Sequence, residues 1–313
     1  MRFVGWCVLA TVMACGAGDN GSTGLARDGG AVTSDAPAAG YVRFVTKAVT
    51  VPANTSTQWL QWVQAPMDHD VDIADIQGQQ GVGGHHAVLY STSDVQPVGT
   101  LQAWKDADIT TSHFLGGIGG EGGSALKLPK GAVFRLKAGQ ALAVQVHYLN
   151  ASAQTLQGTT QLDVKFADPS PSDRLASLLT NTAISFQVPA QGKGHVDLSC
   201  TLDRDVSLVM FTNHMHQWGA SALTQLVDTA GTESALKSDP AWNSEWTTNP
   251  DFTKATVAAP LVLKAGETLK TSCDWTNTTD QALTFPTEMC VFIGFYLGDS
   301  DVGCIDSGKI GAD

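Results

Sequence analysis

Five of the eight histidines in this chain fall into three tight clusters: His85-His86, His147 and His214-Met215-His216. Imidazole is the commonest protein ligand for transition metals, and residues two apart on a strand share a face. His214 and His216 are therefore expected to point the same way, as are Gln145 and His147, and such a pair presents two nitrogens to one ion. His85 and His86 face opposite sides of a regular strand, so a shared ligand role requires a bulge or a strand end. Gly83-Gly84, immediately before them, makes a bulge feasible. Histidine sites without carboxylates suit zinc or copper, and a thioether partner points to copper, especially Cu(I). Met289, in Glu288-Met289-Cys290 at the head of the apolar run 291–297, is the candidate thioether.

Other chemistry is weaker. His69 stands among Asp68, Asp70 and Asp72, which is a solvated acidic loop, and His113 and His195 lie in polar surroundings. The stretch 117–122 matches G-x-G-x-x-G but has no strand–helix context, so nucleotide binding is set aside. No nucleophile elbow of the G-x-S-x-G kind is present. A formal charge of −12 argues against nucleic acid, whose binding needs clustered Lys and Arg to displace counterions.

The elements that must position these residues are strands. Only 15% of residues are charged, below the usual ~25%, and from residue 41 onward the chain consists of short alternating or β-branched runs punctuated by Gly, Pro, Asn and Asp. These runs cover 41–51, 71–76, 86–90, 142–148, 162–166, 206–211, 261–263 and 291–297, and 173–179 is the one short helical candidate. The pattern predicts an all-β sandwich or jelly roll. Asp168-Pro169-Ser170-Pro171-Ser172 reads as a linker between two halves. Lys137-Ala138-Gly139-Gln140-Ala141-Leu142 recurs 127 residues later as Lys264-Ala265-Gly266-Glu267-Thr268-Leu269, and the same offset carries His85-His86 to within a few residues of His214 and His216. Two coincidences at one offset predict a domain duplication.

The first residues carry a different message. Arg2, an apolar stretch over 3–13 and Ala14-Cys15 read as a lipoprotein export signal over 1–14, with Cys15 as the lipid-bearing residue. A Gly/Ser/Ala/Asp-rich flexible tether over 15–40 follows. Four cysteines remain, Cys200, Cys273, Cys290 and Cys304, and in an oxidising compartment they predict two disulfides with three connectivities. None forms C-x-x-C, which argues against a structural zinc.

Taken in order, His85-His86-Ala87-Val88-Leu89-Tyr90, Gln145-Val146-His147-Tyr148, His214-Met215-His216 and Glu288-Met289-Cys290 resemble the copper motifs of the type II ascorbate-dependent monooxygenases. That is the group of peptidylglycine α-hydroxylating monooxygenase and dopamine β-monooxygenase, and the likeness covers about 45–305. The resemblance implies two tandem antiparallel jelly-roll β-sandwich domains, 41–168 and 176–313 joined by a linker over 169–175, facing each other across an open cleft. It implies two coppers per chain. His85, His86 and His147 would hold an electron-transfer copper, and His214, His216 and Met289 the copper that binds O2 and hydroxylates. It also implies the pairings Cys273 with Cys290 and Cys200 with Cys304.

The expected function is hydroxylation of a C–H bond in a small molecule, consuming O2 and two electrons from ascorbate or an equivalent one-electron reductant. The residues that hold a peptide carboxylate in the peptide enzyme of that group are replaced here by Thr212, Val291 and Ile293, so the substrate is expected to be neutral or aromatic, with Trp218 nearby. The protein is expected to be exported and to meet the membrane only through its lipid. The rival reading is a non-catalytic copper-binding or scavenging lipoprotein. A jelly-roll carbohydrate-binding module would leave the His/Met constellation unexplained.

Overall fold

The computed structural model describes residues 36–66, 68–105, 108, 111–150 and 152–311, so the expectations for the export signal, for Cys15 and for most of the tether lie outside the described residues. The described chain is all-β, built from mainly antiparallel sheets. In the first half a four-stranded sheet (Tyr41–Val45, Thr160–Ala167, Val71–Gln80, Arg135–Leu136) accompanies a six-stranded sheet whose centre is Thr55–Val63, Ala141–Asn150 and Gly84–Thr92. In the second half a sheet centred on Val206–His214, Cys290–Leu297 and Arg174–Ala183 accompanies the four-stranded sheet Lys193–Thr201, Thr268–Thr276, Gly219–Val227 and Glu233–Asp239.

Period-two alternation explains the packing. Along Ala141–Asn150, Val144, Val146 and Tyr148 enter the core between the sheets, while Ala143, Gln145 and His147 share the other face. On that second face Ala143 packs with Leu60, Trp62 and Trp104, and the run from Leu142 to Tyr148 is buried on both faces. The segment 173–179 is a correction: it is not helical but part of the strand Arg174–Ala183. Its doubled apolar residues mimic a helical stripe. They lie instead in a strand that pairs with Cys290–Leu297 from Ala176 onward and with the parallel Val302–Ile305 from Leu179, where extended backbone satisfies the hydrogen bonds.

The repeat seen in the sequence recurs in atomic detail. The Lys137 N–H bonds to Gln140 Oε1 and the Lys264 N–H to Glu267 Oε2, at 2.9 and 2.7 Å. Asp70 and Asp205 accept from the next amide, Ala138 and Ala265, in each turn. Gly139 and Gly266 both sit at positive φ, 77° and 86°. Further on, the Asn150 amide donates to Val51 O, Pro52 O and Gln154 O, and Asn277 donates to Val188 O, Pro189 O and Gln281 O. Each Asn carbonyl accepts from the residue two ahead, Ser152 or Thr279.

The halves are fused by one apolar core rather than separated. Phe114 and Phe134 from the first half pack on Phe295 from the second, with ring centroids 5.4 and 5.7 Å apart, and Val209, Met210 and Ala176 join the same cluster. Asp301 clamps a strand from each half, accepting from Phe114 N at 2.9 Å and Leu178 N at 2.7 Å. Ala132–Val133 pairs in parallel with Arg174-Leu175, so the end of the expected linker is already sheet. The glycine-rich stretch 117–122 serves this seam: a Cβ on Gly119 would lie 2.2 Å from Thr248 O, so only glycine allows the approach.

Two disulfides, Cys200–Cys304 and Cys273–Cys290, give the pairing that the resemblance implied. They fit an oxidising extracellular environment. Among the described residues no helix is long and apolar enough to cross a membrane. With sequence separations of 104 and 17, the loops they close should contribute about 4–5 and about 3 kcal/mol respectively in a chain-entropy account. Cys200→Ser with Cys304→Ser is therefore expected to lower the denaturation midpoint more than the Cys273/Cys290 double variant, and the reverse order would oppose that account.

Candidate metal centre

The bulge required at His85-His86 is present. Opposite Ala141–Asn150, His147 pairs with His86 and Tyr148 with Gly84, leaving His85 as the extra residue. Gly84 permits it, since a Cβ there would meet Gln80 Cβ at 2.3 Å. The bulge swings His85 round to the side of its neighbour, with ring centroids 4.7 Å from His86 and 4.8 Å from His147. His214 closes the strand Val206–His214, and His216 lies just beyond its end, 5.3 Å away centroid to centroid. The strand geometry expected for that pair thus covers only its first member.

The two groups meet. His85 lies 4.4 Å from His216 and 5.8 Å from His214, so five imidazoles form one cluster at the seam. This differs from the open cleft implied by the resemblance, and the cause is the shared apolar core, which draws the halves together. Two histidine triads could hold a metal ion, His85/His86/His147 and His85/His214/His216, each with its ligand atoms within 4.8 Å of one another. Met289 is buried at the head of Cys290–Leu297, two residues before Val291, the strand partner of His214. His69, His113 and His195 are elsewhere, paired with Asp68, Asp301 and Asp274.

No family profile matches this chain, and no curated protein matches it. The character of the centre therefore rests on its own atoms. His216 donates Nδ1–H to Thr287 O at 2.9 Å, which leaves Nε2 with its lone pair free. Ser56 Oγ lies 2.7 Å from His147 Nε2, and Nε2–H donation to that oxygen leaves Nδ1 free. Both nitrogens of His85, Nδ1 of His147, Nδ1 of His214 and Nε2 of His216 are buried without a partner. An unsatisfied buried polar atom costs about 1–3 kcal/mol, so five of them approach the net stability of a domain. Burial holds His85, His147 and His214 well below the ordinary histidine range, and His86 and His216 at about 4. Neutral rings with unspent lone pairs are the donor set a transition metal requires, so the residues fit a metal ion.

Glu288 was not singled out for any role by the sequence. Its carboxylate is fully buried and gathers four donors: Trp218 N and Trp275 Nε1 at 2.9 Å, His216 N at 3.1 Å and Met289 N at 3.3 Å. Burial pushes it up to about 7 against the pull of those donors. It ties the two ligand-bearing segments 214–216 and 287–290 together. Glu288→Ala would strand the four donors, with an expected loss of about 3–5 kcal/mol in denaturant unfolding. A loss below about 1 kcal/mol would remove this positioning role.

A cavity of about 990 Å³ opens beside the cluster, with His85 and His216 in its wall. Trp218, Glu121 and Asp280 line it among many hydroxyl and amide groups, and among the described residues no Lys or Arg does. Thr212, expected from the resemblance to stand at a substrate position, is buried, and Ile293, expected likewise, is half-buried. Thr212 donates to Asp251 O, and Ile293 packs on the seam core.

Proposed function

We propose that this protein is a copper-dependent monooxygenase that hydroxylates a C–H bond of a small neutral or aromatic molecule. The observation that carries the proposal is the convergence of five imidazoles, four of them buried with unpartnered nitrogens, beside a cavity whose wall includes His85 and His216. Nitrogen ligands with a nearby thioether, Met289, favour copper over zinc. In the balanced reaction R–H, O2, two electrons and two protons give R–OH and water, and copper when bound supplies the one-electron steps and the handling of O2. Ascorbate is the reductant suggested by the motif resemblance.

By the motif resemblance, His85, His86 and His147 would form the electron-transfer ligand set, and His214, His216 and Met289 the hydroxylating one. Ser56 and Thr287 O fix the rings of His147 and His216, so the nitrogens offered are Nδ1 and Nε2 respectively. Trp218 offers an apolar surface for substrate, and the lack of cationic side chains among the described residues of the cavity disfavours an anionic one. Export and lipid attachment through Cys15 complete the reading and fit the two disulfides.

The test is ascorbate-dependent oxygen uptake by the copper-loaded protein across neutral and aromatic substrates, with product identified by mass spectrometry. Met289→Ala should abolish product formation while at least one copper is retained. Fewer than one copper per chain after careful reconstitution would sink the proposal. Oxygen uptake without hydroxylated product would favour the copper-scavenging reading.

A further inference from the structure

The two triads are not independent, because His85 belongs to both. We infer that His85 bridges two metal ions, giving one ring nitrogen to the ion held by His86 and His147 and the other to the ion held by His214 and His216. This inference rests on the metal-binding reading above and sharpens it: the two ions would form one coupled pair.

Three observations point this way. His85 is in ring contact with all four other histidines, at centroid distances from 4.4 to 5.8 Å, whereas His147 and His216 are 6.1 Å apart. His147 and His216 each commit one nitrogen to the protein, to Ser56 Oγ and Thr287 O, which leaves each a single nitrogen for a metal. Among the described residues His85 is the histidine with both ring nitrogens buried and unpartnered. A histidine destined for one ion ordinarily gives its second nitrogen to a carbonyl, a carboxylate or water. Here the protein leaves that second nitrogen uncommitted, in a ring 2% exposed that touches members of both ligand groups. Without the bridge one of the two triads would be reduced to two histidines.

The bridge balances simply. Neutral imidazole binds the first ion through its lone pair, and the second ion takes the nitrogen that carried hydrogen, with one proton released to solvent through the adjacent cavity.

The experiment uses the full chain, stripped of metal and titrated with Cu(II), with bound copper counted by mass spectrometry and unpaired spins by integrated electron paramagnetic resonance. Two bound ions with most of the copper spin-silent are expected, since a shared ring couples the two spins antiferromagnetically. His85→Ala should restore the full spin count and weaken both ions by about 100-fold or more, whereas His86→Ala should weaken one and His214→Ala the other. Two bound ions with a full spin count in the unmodified protein would overturn the bridge and leave the monooxygenase reading standing. So would a single ion held by all five rings, or a His85→Ala effect confined to one ion. No copper binding at all would overturn both. Because the spin count is made on the unmodified protein, the result stands even where a variant fails to fold.

Discussion

Phe295→Ala is expected to destabilise the protein by about 3–5 kcal/mol and, unlike other core truncations, to weaken metal binding about tenfold or more. Phe295 is 2% exposed and fills the seam, with Phe114 at 5.4 Å, Phe134 at 5.7 Å and Phe252 at 6.1 Å. A truncated ring leaves a void that the neighbouring aromatic rings fill only in part. His85 reaches His214 and His216 only because this seam is closed, so a looser seam separates the two halves of the centre. Leu269→Ala is the control. Leu269 is equally buried but belongs to a core confined to the second half, so it should lower stability with little effect on copper affinity. Calorimetric copper titration of both variants, at a temperature where each is folded, decides the matter. Equal copper affinities would mean that seam packing does not assemble the site.

Acid should unfold the metal-free protein well before it unfolds the metal-loaded one. Burial lowers all five ligand histidines below their unfolded value near 6.5, two of them to about 4. A group lowered on folding contributes stability that is complete above its unfolded pKa and is lost as pH falls toward the folded one. The window is therefore pH 6.5 down to about 4. For His216 alone the loss is roughly 3 kcal/mol across that window, and the coupled cluster loses more. Two groups act in the opposite sense: His195, raised by Asp197 and Asp274, is half exposed and contributes little, and Glu288, pushed up to about 7, offsets about as much as one histidine of the cluster. Bound metal holds the imidazoles unprotonated and shifts the transition to lower pH. Denaturant midpoints measured from pH 7 to 4.5 check this, and a flat profile for the metal-free protein would refute it.

Much of the fold was legible because apolar alternation is a local signal. The run 206–211 proved to be Val206–His214 and 291–297 to be Cys290–Leu297. Thr55–Val63, Lys193–Thr201 and Gly219–Val227 escaped notice because their outward positions are small or polar, such as His195, Asp197 and Ser199, which dilutes the pattern. The histidines were legible as residues, and so was the need for a bulge before His86. Their convergence was not, because it depends on which apolar side chains face the other half. In sequence, Met210 and Phe295 look like any strand residues. Glu288 was invisible for a related reason: its four donors come from three separate segments, and no linear motif links Trp218, Trp275 and Met289.

The duplicated asparagine ties have one more implication. The cavity is lined by Asn150 from one copy, at its strand end, and by Thr279, Asp280 and Gln281 from the other, in the loop beyond the matching Asn277. The duplicated turn is thus presented unequally to one space. A molecule entering the cavity meets a strand end of the first copy and a loop of the second. Its orientation must then come from the places where the copies have diverged: this turn, Glu121, Trp218, and the unequal histidine endowment of three rings against two.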